Sequence, residues 1–203
     1  FPKPVQELAA VFGRVAGQET EFGIDSTRLA FAGCSSGANM ALGAAFMVRQ
    51  SFFSAGALFY GIFGTGKNTA SARAFGDGRF GVTNEEIAWC FKNYLGEPGD
   101  KFDPRATPIL GDLGRLPPMF LAAAELDPLR DDTLDIADRL VECGVRCETR
   151  VYKGLTHNFM IYAGVVDAVR VGIWHGAGHI RRQFFEARPK LVAEFREGAR
   201  DVA

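Results

Sequence analysis

An α/β fold with a mostly parallel sheet flanked by helices is the class this sequence predicts, on three observations. Apolar runs at 28–32, 52–63 and 118–125 are continuous instead of alternating, as strands covered on both faces require. Helical spacing or apolar helix patterns fill the chain around them, so that strands and helices alternate. The first run also breaks into a glycine-flanked turn, Gly33-Cys34-Ser35-Ser36-Gly37, which enters a helix. That is the signature of a serine held at a tight strand-to-helix junction.

Taken in order, Val5, Leu8, Ala9, Phe12 and Val15 recur at helical spacing and predict a helix with one buried face. Asp25 and Ser26 suit a polar turn before the strand at 28–32. The helix expected over 36–48 is apolar almost all round, which requires burial between layers. The second strand centres on 55–60 and the third on 119–124. Between them, 64–117 is too long for a plain connection and carries a short helix pattern at 84–95, so it reads either as a cap over a site or as a crossover helix with loose flanks. An amphipathic helix at 131–143 stops at Gly144, with Asp131 and Asp132 in its first turn, where the helix dipole favours acids. Residues 145–152 alternate as a half-exposed edge strand, and 180–199 reads as a charged helix interrupted at Pro189.

Bulk properties narrow the function classes. The 203 residues are 47% hydrophobic and 23% charged, suited to one domain with an insertion, and 23 Lys plus Arg against 24 Asp plus Glu leave a net charge of -1. No field of one sign points to nucleic acid or an anionic membrane, so a small or neutral partner is expected. No apolar run is long enough for a stable membrane insertion. Cys34, Cys90, Cys143 and Cys147 form no C-x-x-C pair and read as buried thiols in a reducing, cytoplasmic setting. The chain begins at Phe1, and its true start is expected upstream.

A serine hydroxyl becomes a useful nucleophile when a base, usually histidine, removes its proton, and that base needs a carboxylate to hold its tautomer. Ser35 is the candidate nucleophile, because Ser36 would be flanked by Cys34 and Ala38 instead of two glycines. His157, in Lys153-Gly-Leu-Thr-His157-Asn-Phe-Met160, follows the fourth strand and is the candidate base. Asp127 leaves the third strand ahead of Pro128 and is the candidate acid, while Asp131 and Asp132 are assigned to the next helix's N-terminus. Nucleophile, acid, base is the chain order of α/β-hydrolases. Phe63, Trp89 and Phe159 are candidates either for lining a pocket or for core packing.

The segments Phe22-Gly-Ile-Asp-Ser-Thr-Arg-Leu29, Gly33-Cys-Ser-Ser-Gly-Ala-Asn39, Leu116-Pro-Pro-Met-Phe120, Glu125-Leu-Asp-Pro-Leu-Arg-Asp-Asp132 and Gly154-Leu-Thr-His-Asn-Phe159 resemble the hormone-sensitive-lipase-like family of α/β-hydrolase carboxylesterases. The resemblance runs from Phe1 to about Arg170. It implies the C-terminal portion of an α/β-hydrolase fold, with Ser35, Asp127 and His157 as nucleophile, acid and base and the Ser36 amide as one oxyanion donor. It further implies a serine carboxylesterase for short- to medium-chain acyl esters, a small-molecule ester as partner, and neither metal nor organic cofactor. An amidase or deacetylase using the same triad, or a non-catalytic binding protein of this fold, is the alternative.

Three features depart from the family pattern. Cys34 stands where the family usually has an acid, and Ala38 where it has a second glycine. The H-G-G-G loop that supplies the other oxyanion amides is not found upstream of Ser35, and His175-Gly-Ala-Gly178 follows His157 in the chain and cannot take its place. A metal role for His175 with His179 is disfavoured on the expectation that Gly176 and Gly178 discourage a helix there. The strand at 28–33 is therefore expected to be an open edge, completed by upstream sequence, by another chain or by self-association, the first being preferred.

Overall fold

The computed structural model describes residues 1–17, 19–48, 52–64 and 68–186. Four strands, β1 (Leu29–Cys34), β2 (Phe53–Phe59), β3 (Met119–Leu126) and β4 (Cys147–Thr156), form one parallel sheet in the order β1-β2-β3-β4. Among the described residues β1 and β4 are the edges.

Helices α1 (Lys3–Gly17), α3 (Ser36–Ala45) and α6 (Arg130–Glu142) share one face of the sheet, with a short helix, α2 (Glu19–Phe22), after α1. Phe31, Leu58, Met119 and Leu121 from the sheet meet Ala41, Leu42, Ile136 and Leu140 from the helices in the main core. Helix α3 is buried on nearly all sides, because α1 covers its outer surface, Val5 and Ala9 packing on Ala44 of α3. It ends at Ala45, earlier than the apolar pattern suggests, in a tight turn from the Met47 N–H to the Ala44 carbonyl. Burial on every side, more than amphipathic spacing, is what its composition reports.

The 64–117 segment holds α4 (Ala70–Phe75), α5 (Asn84–Tyr94) and three 3-10 turns at Pro98–Phe102, Pro108–Leu110 and Leu113–Arg115. A reciprocal capping box fixes the start of α5, where the Thr83 side chain accepts from the Glu86 N–H and the Glu86 carboxylate accepts from the Thr83 N–H.

The opposite face departs from the sequence reading. A single 20-residue helix, α7 (Asp167–Glu186), runs straight through Gly176 and Gly178, the segment expected to resist a helix. Packing overrides propensity here: a Cβ on Gly176 would lie 2.7 Å from the Phe59 ring, so the glycine lets α7 seat directly on the sheet. Ile173, Ile180 and Val169 of α7 complete a second core with Ala57, Phe59, Phe120 and Tyr152. The phase of β4 follows from this cover, with Tyr152 only 9% exposed under α7 and Val151 43% exposed. The part of the expected tail helix beyond Glu186 lies outside the described residues.

The cysteine reading also needs correction. Cys34, Cys90 and Cys143 are exposed and Cys147 is half-buried, all four as free thiols. Cys34, Cys143 and Cys147 sit at strand and helix ends, Cys147 against the edge of the main core, and Cys90 of α5 lines the open cavity over Ser35.

A paired substitution tests the seating of α7. Gly176→Val should destabilise the fold by about 1–3 kcal/mol through overpacking against Phe59. Gly178→Ala, whose added carbon meets nothing nearer than Arg182 at 3.5 Å, should be neutral or mildly stabilising by helix propensity. Urea unfolding of the two variants reads the difference.

Candidate active site

The parallel register brings the C-terminal ends of β1, β3 and β4 to one rim, and each end releases one candidate residue. Ser35 follows β1 with φ 51° and ψ -125°, a positive-φ backbone that a non-glycine residue adopts only where the surroundings enforce it. Here the Ser35 N–H donates to the Phe59 carbonyl at 3.0 Å, while the Ser35 carbonyl accepts from the amides of Ala38 at 3.0 Å and Asn39 at 3.3 Å. The helix then folds back over the strand so closely that a Cβ on Gly33 would lie 2.5 Å from the Gly37 carbonyl oxygen. Gly37 itself has open space where a side chain would go, so the tight passage depends on Gly33.

Ser35 Oγ lies 2.8 Å from His157 Nε2, and His157 Nδ1 lies 2.8 Å from Asp127 Oδ2. The Asp127 side chain is fully buried and that of His157 is 7% exposed. The second Asp127 oxygen accepts from the Leu129 N–H at 2.8 Å, and the Asp127 carbonyl accepts from the Arg130 N–H. The carboxylate is thereby fixed in rotation and presents one oxygen to the imidazole. All three residues picked out in sequence are thus brought together, and Ser36 begins α3 beside them.

A cavity of about 460 Å³ opens over Ser35, Ser36 and His157. Its walls include Met40 of α3, Ile62 beyond β2, Leu129, and Ile87, Trp89 and Tyr94 of α5. It is largely apolar, the character of a small-molecule site. Of the aromatic candidates, only Trp89 lines it, while Phe63 and Phe159 belong to the cores.

Two polar residues that sequence reasoning left without a structural role here, or gave a different one, hold the insertion to the rim. Asn39, 3% exposed, donates from Nδ2 to the Ile62 carbonyl at 2.8 Å and to the Ala106 carbonyl at 2.9 Å. Asp132, assigned in sequence to a helix N-terminus, is buried and accepts from the amides of Phe63 and Gly64, the latter at 3.0 Å. Asp131 accepts from the Ser71 amide of α4 at 2.7 Å; burial pushes its pKa up, but that amide and Arg130 outweigh it and hold the carboxyl below its usual value. The only sequence signal was a polar residue at a fully apolar helical position for Asn39 and a doubled aspartate for the pair.

The remaining histidines are structurally engaged. His175 Nδ1 shares a hydrogen bond with the Tyr152 hydroxyl at 2.9 Å. His179 Nε2 lies 3.1 Å from the Pro118 carbonyl, and burial pushes its pKa down. Among the described residues no group of three or more His, Cys, Asp or Glu side chains is placed to hold a metal ion. No described helix is long and apolar enough to cross a membrane.

A strained serine turn followed by an acid and a base on later strands of a parallel sheet is the arrangement of the α/β-hydrolase class. The chain belongs to that family, since the family model for the alpha/beta hydrolase fold matches residues 1–161. An acetyl esterase of Salmonella paratyphi B is 31% identical over 196 residues, 94% of this chain and 59% of its own length. The thermostable carboxylesterase EstE1, cloned from a metagenomic library, superposes with a TM-score of 0.87 at 33% identity, covering 91% of this chain and 64% of that one. For an esterase of Pyrobaculum calidifontis the TM-score is 0.86 at 31% identity, with 90% and 61% covered. These similarities agree with the hormone-sensitive-lipase-like resemblance carried by the motifs. The chain spans about 59% of the length of the acetyl esterases it matches.

Substitution at the elbow separates its two glycines. Gly33→Ala forces backbone against backbone and should abolish reactivity of Ser35 or the fold itself, whereas Gly37→Ala should leave both nearly unchanged. Phosphonate labelling and circular dichroism of both variants check this contrast.

Proposed function

We propose that this protein is a serine carboxylesterase that hydrolyses short- to medium-chain acyl esters through an acyl-enzyme. The observation that carries the reading is the hydrogen-bonded chain Ser35 Oγ, His157, Asp127, with both links at 2.8 Å. His157 Nε2 takes the Ser35 proton as Oγ adds to the ester carbonyl, and the imidazolium so formed faces the buried Asp127 carboxylate. The tetrahedral oxyanion lies against the Ser36 amide at the N-terminus of α3, and collapse transfers the proton from His157 to the leaving alcohol. Water, deprotonated by the same imidazole, then releases the acid and restores Ser35.

The 64–117 insertion serves as a cap, on the ground that α5 contributes Ile87, Trp89 and Tyr94 to the cavity above Ser35. Its apolar walls suit an acyl chain, and no Asp, Glu, Lys or Arg lines it among the described residues. The acetyl esterases that the chain matches are longer, 59% of their length being covered, and the reading takes the remaining oxyanion amides and a neighbour for β1 from the part not covered, an alternative being self-association along β1. Four free thiols, three of them exposed, suit a cytoplasmic setting.

Hydrolysis of a chromogenic ester and its matched amide tests the reading. Ser35→Ala, His157→Ala and Asp127→Asn should each lower kcat by roughly 10³-fold or more, with the ester strongly preferred by the unmodified protein. Undiminished hydrolysis by Ser35→Ala would overturn the mechanism, and equal rates on the amide would favour the amidase reading.

A further inference from the structure

Tyr60 occupies an unusual position one residue beyond β2. It is 1% exposed, and its backbone φ is 38°, a conformation that an aromatic residue holds only where the surroundings enforce it. Its N–H donates to the Ala122 carbonyl of β3 at 2.6 Å, which anchors the strained residue between the two central strands.

The Tyr60 side chain meets both halves of the site. The ring packs edge-to-face on the His157 imidazole with centroids 5.1 Å apart and on Phe159 at 4.8 Å. Its hydroxyl interacts with the Cys34 thiol, immediately before Ser35, and with the backbone of Met160, three residues after His157. Burial, followed by the neighbouring Cys34, drives the phenol's pKa well above its ordinary value, so the group stays protonated and can donate throughout the working range. The loop that carries His157 needs such a brace, because it leaves β4 and reverses at Asn158, φ 63°, into the 3-10 turn Phe159–Tyr162.

We propose that Tyr60 is a positioning residue for the esterase reaction: its ring and hydroxyl tie the turn that carries the nucleophile to the loop that carries the base and so hold the His157 imidazole against Ser35. The proposal rests on the assignment of Ser35 and His157 given above. It also gives Cys34 a role. Where the family usually has an acid, this chain places a thiol, a weaker hydrogen-bond acceptor for the phenol than a carboxylate.

The test compares the unmodified protein, Tyr60→Phe and Cys34→Ala by kcat and KM per titrated active site, phosphonate labelling rate and thermal melting. Tyr60→Phe keeps the ring and removes the tether; kcat per labelled site and the labelling rate should fall together by about tenfold, with KM unchanged. Cys34→Ala, at an exposed position, should fall in the same direction by about threefold, within the net worth of one hydrogen bond, and carries the test if Tyr60→Phe does not fold. A purely structural tyrosine would lower the melting temperature and the labelled fraction while leaving kcat per labelled site unchanged, and that result overturns the proposal. Failure of the unmodified protein to label at Ser35 would instead overturn the triad assignment, and this proposal with it.

Discussion

Everything at the rim depends on one backbone constraint, the passage of α3 over the end of β1. A helix that turns back this sharply needs a strand residue with no side chain beneath it, and Gly33 is that residue. The same turn drives Ser35 to positive φ and lifts its hydroxyl out of the sheet, within hydrogen-bond reach of His157. The strain is offset by backbone hydrogen bonds on both sides of Ser35 and by the burial of α3 between the sheet and α1. A flexible serine loop in the same place would have to be ordered at each turnover, whereas this one is ordered by folding.

The parallel sheet turns that local constraint into a site. Because β1, β3 and β4 run in one direction, the residues that follow them emerge at one end, although Ser35 and His157 are 122 positions apart in the chain. Three carboxylates, two buried and one half-buried, divide the labour at that end. Asp127 orients the imidazole, while Asp132 binds the amides beyond β2 and Asp131 holds the start of α4. The short motif from Glu125 to Asp132 thus reaches both His157 and the start of the segment that contributes α5 to the cavity wall.

Legibility in the sequence followed locality. The elbow, the continuous strands and the order of Ser35, Asp127 and His157 were readable because each is written within a few residues of its own strand end. Helix α7 was not, since Gly176, which disfavours an isolated helix, is here required by the approach of that helix to Phe59 and Phe120. The buried roles of Asn39 and Asp132 depend on partners 23 to 69 positions away, which no spacing pattern records. Cysteines were misplaced for a related reason: their apolar character suggested burial, but positions at a strand end, at a helix end and on the open cavity left three of them exposed. Tyr60 read as one more residue of an apolar strand, its positive φ being a property of the rim and not of its neighbours in sequence.

The most direct measurement of the central claim is peptide mapping by mass spectrometry after rapid acid quench of the protein turning over an activated ester. An acyl adduct on Ser35, formed within the first turnover and absent from His157→Ala, is the result predicted by a base-activated serine on a strained turn. An adduct on Cys34 or Ser36 instead, or hydrolysis that proceeds with no acylated residue, would contradict it.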